Sequence, residues 1–598
     1  MKAFELTFDQ SESNLFIDQS RTVVAYSDGG KEERRLLEIV RSAQDLSAIS
    51  WQLNDSATTW VERYHLSVHR GAIIRCLPFS ANLQVLEMGA GAGAVTRSLG
   101  EKFAQVDAIE GSIERARICA SRCRDLPNVR VFAADLDRIS PEAKYDLVFL
   151  VGVLEWSQGF IPGSNPFHRC LEIASRALND RGSLVVAIEN QLGLKYFLGS
   201  GEDHCGVPME GLHGYPTVSK AKTFSRLGLY SLLKDAGFPV QRFLYPFPDY
   251  KLARAVLTQE AVALNSESVA YWASRYNFED YQQPTNYIYG NQALIATEIS
   301  KAGILDELSN SFLVIAGKEG ATVDAMPWVI WSERVVQNML LSSTTTLERL
   351  DKQLVVKKVY PYLNQQQRAD SSTAFSLNLE SEQSFFDGSS LEIELLRYAI
   401  SGRSDAFLEV VREWVEYVNE RFRSPDRKDI SANAWDCIPR NIIRLLTGQL
   451  TAFDLEFLNH RSFTVEDLCA RGLFFWFCDH ARSSAKLYPE ARTIREKIAS
   501  VLSAAFPSID AHSVIKSAAR SEMTFQSWVN PRMKIDINSS LDAEVKSDLL
   551  KDYIALQLRV MEERAKRLQL FSDTVRRTFA YRFYGTWIKP LRDKFNRG

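Results

Sequence analysis

The sequence predicts an α/β fold with a parallel sheet in its first half, followed by an α+β domain and a C-terminal helical tail. Within residues 81–257, short apolar strands alternate with amphipathic helices, which is the pattern of βαβ units. The chain has 598 residues, which is too long for a single core, so two to four domains are expected. A glycine-rich turn directly after the first of these strands indicates a ligand-binding edge of the sheet.

Composition and charge exclude several classes of protein. The chain is 45% hydrophobic and 24% charged, and its net charge of −3 gives no reason to expect a nucleic-acid partner. The first residues lack the pattern of a signal peptide, and the longest apolar run, Leu147–Leu154, is far shorter than the roughly 20 residues of a membrane span. The eight cysteines are scattered without a CxxC pair. We therefore expect reduced thiols, no metal site and a cytoplasmic protein.

The strands and helices of the first half can be placed from the periodicity. Residues 1–80 are mixed in pattern and are predicted to form an N-terminal cap that ends in a helical stretch at Trp60–His65. A helix is predicted at Gly111–Arg124, where Arg115, Cys119 and Arg122 recur at helical spacing. The predicted strands are Val85–Met88, Gln105–Ile109, Val129–Ala133, Tyr145–Val151 and Ser183–Ile188.

The strand-turn-helix segment 85–93 carries the strongest motif of the chain. Gly89, Gly91 and Gly93 allow the backbone to turn tightly and to approach a ligand, which the next helix N-terminus then faces. The rival interpretation is a dinucleotide-binding G-x-G-x-x-G motif, but the spacing here is G-x-G-x-G, and the acidic Glu87 precedes it. An acidic residue at that point repels a pyrophosphate and suits the ammonium group of S-adenosylmethionine (SAM).

Acidic residues also follow the next two strands. Glu110 ends the second strand, where a carboxylate can bind both hydroxyls of a ribose. Asp135 follows the third strand and is placed to accept a hydrogen bond from the adenine amino group. Leu136 and Val151, at the ends of the third and fourth strands, are assigned to the same site. Tight turns would explain the glycines but not these carboxylates together with Glu87, so the strand ends predict a SAM site.

By these residues the first domain is similar to the class I SAM-dependent methyltransferases, which implies a Rossmann-like seven-stranded sheet. Such a sheet needs a late antiparallel strand, and Ser311–Ala316 is the best candidate. The first domain is therefore predicted at 81–320, with a mostly helical insert at about 258–308.

More narrowly, residues 30–320 resemble the large methyltransferases of bacterial O-antigen and cell-surface polysaccharide clusters. The narrower resemblance is carried by Tyr64–Ser67, Glu87–Gly93 with Thr96 and Arg97, Gly152–Glu155, Ile188–Tyr196, Glu202–His204, Gly211–Tyr215 and Pro246–Lys251. It implies a glycan or lipid-linked saccharide as methyl acceptor, with chain capping at the non-reducing end as one form of the reaction. Methylation of a nucleotide-sugar precursor is an alternative, and so is a scaffold that recruits glycosyltransferases of the same pathway.

The loop at 189–216 is rich in glycine, histidine and acids, as loops that bind an acceptor often are. Asp203, His204 and His213 are the candidates for a base that removes the proton of an acceptor hydroxyl. A phosphate or carboxylate acceptor would need no base, and Lys195 could pair with one. For each histidine, a hydrogen-bonded loop residue is the alternative interpretation.

A second domain is predicted at 325–520, with strands at Thr345–Arg349 and Gln353–Tyr360. Asp436 and Asn441, followed by Asp454 after an apolar run, have the spacing with which kinase-like folds hold a base and metal–phosphate ligands. Either Lys357 or Lys358 could pair with a phosphate, but not both, since adjacent strand residues face opposite sides.

This second domain resembles choline kinases and aminoglycoside phosphotransferases in a degenerate form. A glycine-rich phosphate loop is missing, because no glycine occurs between Gly320 and Gly388. Methyltransferase–kinase fusions that terminate O-antigen chains have the same architecture. The resemblance implies Mg-ATP as a second cofactor only if the domain is active.

The segment 541–598 is predicted to form a weak coiled coil and a basic amphipathic tail. A loose heptad stripe runs through 541–575 and would support self-association into a homo-oligomer. From Thr574 to Gly598, basic residues alternate with aromatic ones, which suits the surface of an anionic membrane. We therefore expect a cytoplasmic protein that is peripheral on the inner face of the cytoplasmic membrane.

Overall fold

The computed structural model describes residues 6–9, 12–19, 29–136, 144–217, 220–276, 290–321, 323–363, 374–423, 429–534, 536–545 and 569. The predicted coiled coil and basic tail lie almost entirely outside the described residues. The strands are β1 (Leu6–Phe8), β2 (Leu15–Asp18), β3 (Gln84–Met88), β4 (Gln105–Glu110), β5 (Val129–Ala133), β6 (Tyr145–Val151), β7 (Leu178–Glu189), β8 (Val240–Phe247), β9 (Ala255–Thr258), β10 (Ser311–Gly317), β11 (Ile330–Arg334), β12 (Ser343–Leu350), β13 (Gln353–Val359), β14 (Phe375–Leu377), β15 (Glu382–Ser384), β16 (Gly388–Ser390), β17 (Ile442–Leu445), β18 (Leu450–Ala452) and β19 (Phe457–Asn459).

The helices alternate with these strands in the first half and predominate in the second. They are α1 (Gly30–Ser42), α2 (Trp51–Asp55), α3 (Trp60–Leu66), α4 (Ala72–Arg75), α5 (Ala94–Lys102), α6 (Ile113–Arg122), α7 (Ser157–Phe160), α8 (Pro166–Ala177), α9 (Leu194–Phe197), α10 (Arg226–Asp235), α11 (Gln259–Ala263), α12 (Glu267–Ser274), α13 (Gln292–Lys301), α14 (Leu305–Leu308), α15 (Leu391–Ser401), α16 (Ser404–Phe422), α17 (Val465–Asp479), α18 (Ile494–Ala505), α19 (Ala511–Val529) and α20 (Ile537–Leu541). Within the described part of the chain, no helix has the length and apolar character needed to cross a membrane.

A single large sheet organises the first half, with the strand order β1-β2-β5-β4-β3-β6-β7-β10-β8-β9-β11-β12-β13-β15. Neighbouring strands from β2 to β7 are parallel. Strand β10 lies between β7 and β8 and is antiparallel to both. The predicted mixed α/β fold with a parallel sheet is therefore confirmed, and so is the late antiparallel strand.

The parallel strands are apolar at consecutive positions because both faces of the sheet are covered. In β6, Leu147, Phe149 and Val151 enter the core on one face, while Val148 and Leu150 enter the core on the other. Helix α6 is packed against β4 and β5, and α8 against β6 and β7. This layering places the carboxyl ends of the parallel strands at one edge, where α/β proteins bind ligands.

The sheet continues past the predicted domain boundary near residue 320. Strand β9 pairs with β11, and β11 then pairs with the hairpin β12–β13. A buried ion pair joins Arg75 of α4 to Glu333 of β11, with Arg75 Nε 2.8 Å from Glu333 Oε2. The first strands of the second half are thus built onto the sheet of the first.

The predicted helical insert contains α11 to α14 in its described part, and it contributes to two cores. Val269 and Ala273 of α12 belong to one of the sheet cores, whereas Tyr271 belongs to the core of the second half. That second core is enclosed by α15 to α20 and contains three fully buried tryptophans, Trp414, Trp435 and Trp476.

Candidate active site

The turn between β3 and α5 has a backbone that only glycine tolerates at two positions. Gly89 has a φ of 83°, and a Cβ there would lie 2.5 Å from Val153 Cγ2. Gly93 precedes α5 with a φ of 84°, and a Cβ there would lie 2.7 Å from the Cα of Cys119. The turn therefore lies tightly between two elements and exposes backbone rather than side chains to a ligand.

Two buried carboxylates flank this turn. The side-chain hydroxyl of Thr96 donates to Glu87 Oε2 over 2.6 Å, and burial raises the pKa of Glu87 to about 8 against the opposing effects of Thr96 and Arg70. The backbone N–H groups of Gly91 and Ser112 donate to Glu110 over 2.7 and 2.9 Å, yet burial still raises the pKa of Glu110. Both carboxylates gain from a ligand that brings a positive charge or hydroxyl donors.

These groups line a pocket of about 900 Å³ at the carboxyl edge of the sheet. Of the eight residues assigned to the cofactor from the sequence, seven line it: Glu87, Gly89, Gly91, Glu110, Asp135, Leu136 and Val151. Gly93 instead lies behind the turn, against Cys119. The N-terminus of α5 also borders the pocket through Ala94 and Val95. The volume is within the range of small-molecule sites.

The residues of this part of the pocket fit SAM. Its methionine ammonium would meet Glu87, its ribose hydroxyls would meet Glu110, and its adenine would meet Asp135 and Leu136. SAM supplies an activated methyl group, so the protein has only to hold an acceptor in line with that group and receive a proton.

At the other end of the pocket lies a dense group of charges, which we call the acidic cluster. Its members are Glu155, Glu189, Glu202, Asp203, Lys195, Lys251 and His204. Lys195 Nζ and Lys251 Nζ lie 2.6 and 2.5 Å from Asp203 Oδ2. Burial would raise the pKa of Asp203, but these two ammonium groups lower it strongly, so Asp203 is paired rather than poised to accept a proton.

His204 is enclosed by carboxylates. Its Nδ1 lies 2.8 Å from Glu202 Oε1, and its Nε2 lies 3.8 Å from both Glu155 Oε1 and Glu189 Oε2. Burial would lower the pKa of His204, but Glu189, Glu155 and Glu202 together raise it to about 10. Beside these carboxylates alone, the imidazole is therefore protonated at neutral pH and does not act as the predicted base.

The third predicted base, His213, is exposed and does not line the pocket, whereas Asp203 and His204 do. Sequence reasoning did not assign Glu155, Glu189, Tyr250 or Lys251, all of which line it. Glu189 is the last residue of β7. The rule that found Glu110 at the end of β4, an acid at a strand end, would therefore also have found Glu189.

In the second half, the structure brings the predicted kinase-like residues together. Lys358 Nζ lies 3.0 Å from Glu456 Oε2 and also contacts Asp454, whereas Lys357 points away and pairs with Glu348. The side chain of Asn441 donates to the backbone carbonyl groups of Asp436 and Asp454. Of the two adjacent lysines, Lys358 is therefore the one directed at this site.

The same site is closed by its own ion pairs. Arg334 Nη2 and the hydroxyl of Tyr360 bind Glu456 Oε1 over 2.5 and 2.8 Å. Burial raises the pKa of Asp436 to about 6, although Arg471 opposes the shift. The adjoining cavity has a volume of only about 100 Å³, which is smaller than the pockets that usually hold a nucleotide.

The parallel sheet and the pocket at its carboxyl edge have the features that the sequence led us to expect of a SAM-dependent methyltransferase domain. In agreement, residues 85–182 match the model of the family described as Methyltransferase domain. A SAM-dependent methyltransferase from Thermotoga maritima is 17% identical, covering 42% of this chain and 89% of its own, with a TM-score of 0.24. The N-methyltransferase NodS from Bradyrhizobium japonicum, solved with S-adenosylhomocysteine, is 19% identical, covering 27% and 74%, with a TM-score of 0.20.

A methyltransferase from Haloferax volcanii, solved in complex with a methyltransferase activator, is 13% identical. That likeness covers 43% of this chain and 90% of the archaeal one, with a TM-score of 0.27. No curated protein shows a significant match to the chain.

Proposed function

We propose that the domain transfers a methyl group from SAM to a hydroxyl group of a bacterial cell-surface saccharide such as an O-antigen chain. The observation that carries this proposal is the acidic cluster at the acceptor end of the pocket. Buried carboxylate oxygens of Glu155 and Glu189 have no hydrogen-bond partner among the described residues. Such oxygens accept hydrogen bonds from hydroxyl groups, whereas they repel a phosphate or carboxylate acceptor.

The reaction balances with the groups of the pocket. A bond forms between the acceptor oxygen and the methyl carbon, the sulfur–carbon bond of SAM breaks, and S-adenosylhomocysteine leaves with both electrons of that bond. The acceptor proton passes to the acidic cluster and from there to solvent. The protein contributes by orienting the acceptor and by excluding water, as expected for an activated methyl donor.

The saccharide class is supported by the origin of the acidic cluster. Glu189 and Lys195 come from segment 188–196, Glu202, Asp203 and His204 from segment 202–204, and Lys251 from segment 246–251. These are the segments that carry the narrower resemblance to O-antigen methyltransferases. Residues that resemble that group therefore converge on the end of the pocket that would hold the acceptor. Capping of the non-reducing end by methylation is the form of the reaction that we propose.

The test is mass spectrometry of surface glycan from cells with the protein, without it, and with the variant Glu110→Ala. We expect a methyl group on the glycan that disappears on deletion, returns with the wild type and does not return with Glu110→Ala. Glycan whose methyl content is the same in all three strains would contradict the proposal.

A bifunctional methyltransferase–kinase is the second candidate function, and Mg-ATP would then be a second cofactor. The observation that favours it is the convergence of Lys358, Asp436, Asn441 and Asp454 on one site. The ion pairs that close this site oppose phosphoryl transfer. Recruitment of glycosyltransferases of the same pathway is then the alternative role for the second half.

A further inference from the structure

Three side chains of the acidic cluster are arranged like ligands of a metal ion. Glu155, Glu189 and His204 each offer one ligand atom, and these atoms lie within 4.8 Å of one another. They come from three different places: the 3₁₀ helix Leu154–Trp156, the end of β7 and the loop that follows it. Ligand atoms about 2.1 Å from a common ion lie roughly 3 Å apart, so a contraction of these separations by up to about 2 Å would complete the site.

Two carboxylate oxygens of this group have no hydrogen-bond partner within the described part of the chain. Glu155 and Glu189 are each only 1% exposed, and Oε2 of each has no hydrogen-bond partner among the described residues. Lys251 Nζ and the hydroxyl of Tyr250 both lie against Oε1 of Glu189, which leaves Oε2 directed at His204. A buried carboxylate oxygen without a partner is costly, so the arrangement calls for a positive ligand.

The charge of the acidic cluster matches a divalent ion. Its four carboxylates, Glu155, Glu189, Glu202 and Asp203, are opposed by the two ammonium groups of Lys195 and Lys251. A metal ion that binds Nε2 of His204 displaces the proton from that atom, and the protein groups of the cluster then carry a net charge of −2. One divalent cation would neutralise this charge without any further side chain.

The orientation of the His204 ring is fixed by Glu202, which contacts the ring on the Nδ1 side, away from Glu155 and Glu189. Glu202 accepts hydrogen bonds from the backbone N–H groups of His204 and Cys205 over 2.8 and 3.0 Å, so its carboxylate is held in place. Glu202 Oε1 lies 2.8 Å from Nδ1 of His204 and, as a carboxylate, can only accept there. Nδ1 thus donates, so a metal ion that displaces the proton of Nε2 would meet the Nε2 lone pair between Glu155 and Glu189. A carboxylate behind a histidine is the usual support of a metal-bound imidazole.

We propose that Glu155, Glu189 and His204 bind one divalent transition-metal ion, such as Mn²⁺, at the acceptor end of the pocket. One imidazole and two carboxylates are a ligand set that Mn²⁺ and Zn²⁺ accept. All three residues line the pocket, so the remaining coordination positions face the acceptor. The ion would hold an acceptor hydroxyl and lower the pKa of that hydroxyl, and this role rests on the proposed function. Binding of the ion by these three residues does not depend on the proposed function.

Titration of the full-length, chelator-treated protein with MnCl₂ tests the site, followed by electron paramagnetic resonance and by calorimetry. We expect one Mn²⁺ per chain, with an affinity that falls at least tenfold in Glu155→Gln and in Glu189→Gln. Glu202→Gln removes the support of His204 and should weaken binding by roughly 10- to 100-fold. SAM binding by each variant verifies that it is folded.

The matched control is Glu110→Gln at the cofactor end, which should lose SAM affinity and keep its Mn²⁺ affinity. An absence of saturable binding, or equal binding by the wild type, Glu155→Gln and Glu189→Gln, would overturn the metal site. The two ideas fail in different ways. If only the proposed function is wrong, Mn²⁺ binds as expected, but the methyl content of the surface glycan stays the same in cells that lack the protein.

Discussion

Single carboxylates at strand ends determine what each part of the pocket binds. Glu110 at the end of β4 is held by two backbone N–H groups at the cofactor end, whereas Glu189 at the end of β7 faces His204 at the acceptor end. Both residues lie at the carboxyl ends of parallel strands of the same sheet but have different neighbours. Substitutions of single residues should therefore separate binding of the cofactor from binding of the acceptor.

The first prediction concerns Glu110. In the full-length protein, Glu110→Ala should weaken SAM binding at least a hundredfold, because it removes charge-assisted hydrogen bonds to the ribose of about 1.5–3 kcal/mol each. Calorimetry measures the affinity, and Glu114→Gln, an exposed residue on α6, is the control. An unchanged affinity in a folded Glu110→Ala protein would rule out our assignment of the ribose ligand.

The second prediction concerns Glu87 and pH. Burial raises the pKa of Glu87 to about 8 in the folded protein, above its ordinary value of 4.5. The unfolded chain releases this proton at lower pH, so Glu87 lowers the free energy of unfolding progressively as the pH rises from about 4.5 to 8. Glu87→Gln should therefore melt several degrees higher than the wild type at pH 8 and at nearly the same temperature at pH 5.

The same variant should bind SAM at least tenfold more weakly at pH 8, because the partner of the ammonium group is lost. Thermal melts across the pH range and calorimetry with SAM measure both effects. A stability difference that is independent of pH would show that Glu87 is not the titrating group.

Site residues that a local sequence pattern marks could be predicted from the sequence. The roles of residues that depend on contacts between distant positions could not. Glu87 and Glu110 follow from strand ends and a glycine turn within 25 residues. The pairing of Asp203 with Lys251 joins positions 48 residues apart, and nothing in local periodicity indicates it. His204 was found as a polar loop residue, but two of the three carboxylates that raise its pKa, Glu155 and Glu189, come from other elements packed around it.

At the scale of elements, apolar patterns predicted the parallel strands β3 to β7 because these strands are buried on both faces. Strand β8 was missed because Gln241, Arg242 and Pro246 interrupt its apolar pattern, and β1, β2 and β9 were missed because they are short. The continuation of the sheet through β11 was also not predicted, because pairing between strands whose partners are 73 to 77 residues apart leaves no pattern in the sequence of either strand.

The third prediction concerns the site formed by β13 and the segment after β18. Lys358, Arg334 and Tyr360 already hold Glu456, and Lys358 also holds Asp454. Mg-ATP would have to break these contacts, so it should shift the melting temperature of the full-length protein by less than about 1 °C. A shift of several degrees that Asp454→Ala abolishes, while the shift by SAM persists, would make the protein a bifunctional enzyme.

At the scale of the whole molecule, the tail from Thr574 to Gly598 is our proposed membrane contact. It carries seven basic residues and one acid, and each basic residue near an anionic surface contributes about 1 kcal/mol. The full-length protein should therefore pellet with anionic vesicles, whereas a variant ending at Ser572 should stay in the supernatant. Neutral vesicles are the control for charge. Equal partitioning of the two proteins would contradict this role of the tail.

The continuous sheet also has a consequence for synthesis on the ribosome. Strand β10 must enter between β7 and β8, and β9 remains an open edge until β11 has been made. The ion pair of Arg75 with Glu333 likewise waits for a partner that is translated 258 residues later. Chains emerge at about 5–20 residues per second, so the unfinished sheet persists for many seconds. During that interval a nascent chain exposes strand edges, which are templates for pairing with the edges of other chains.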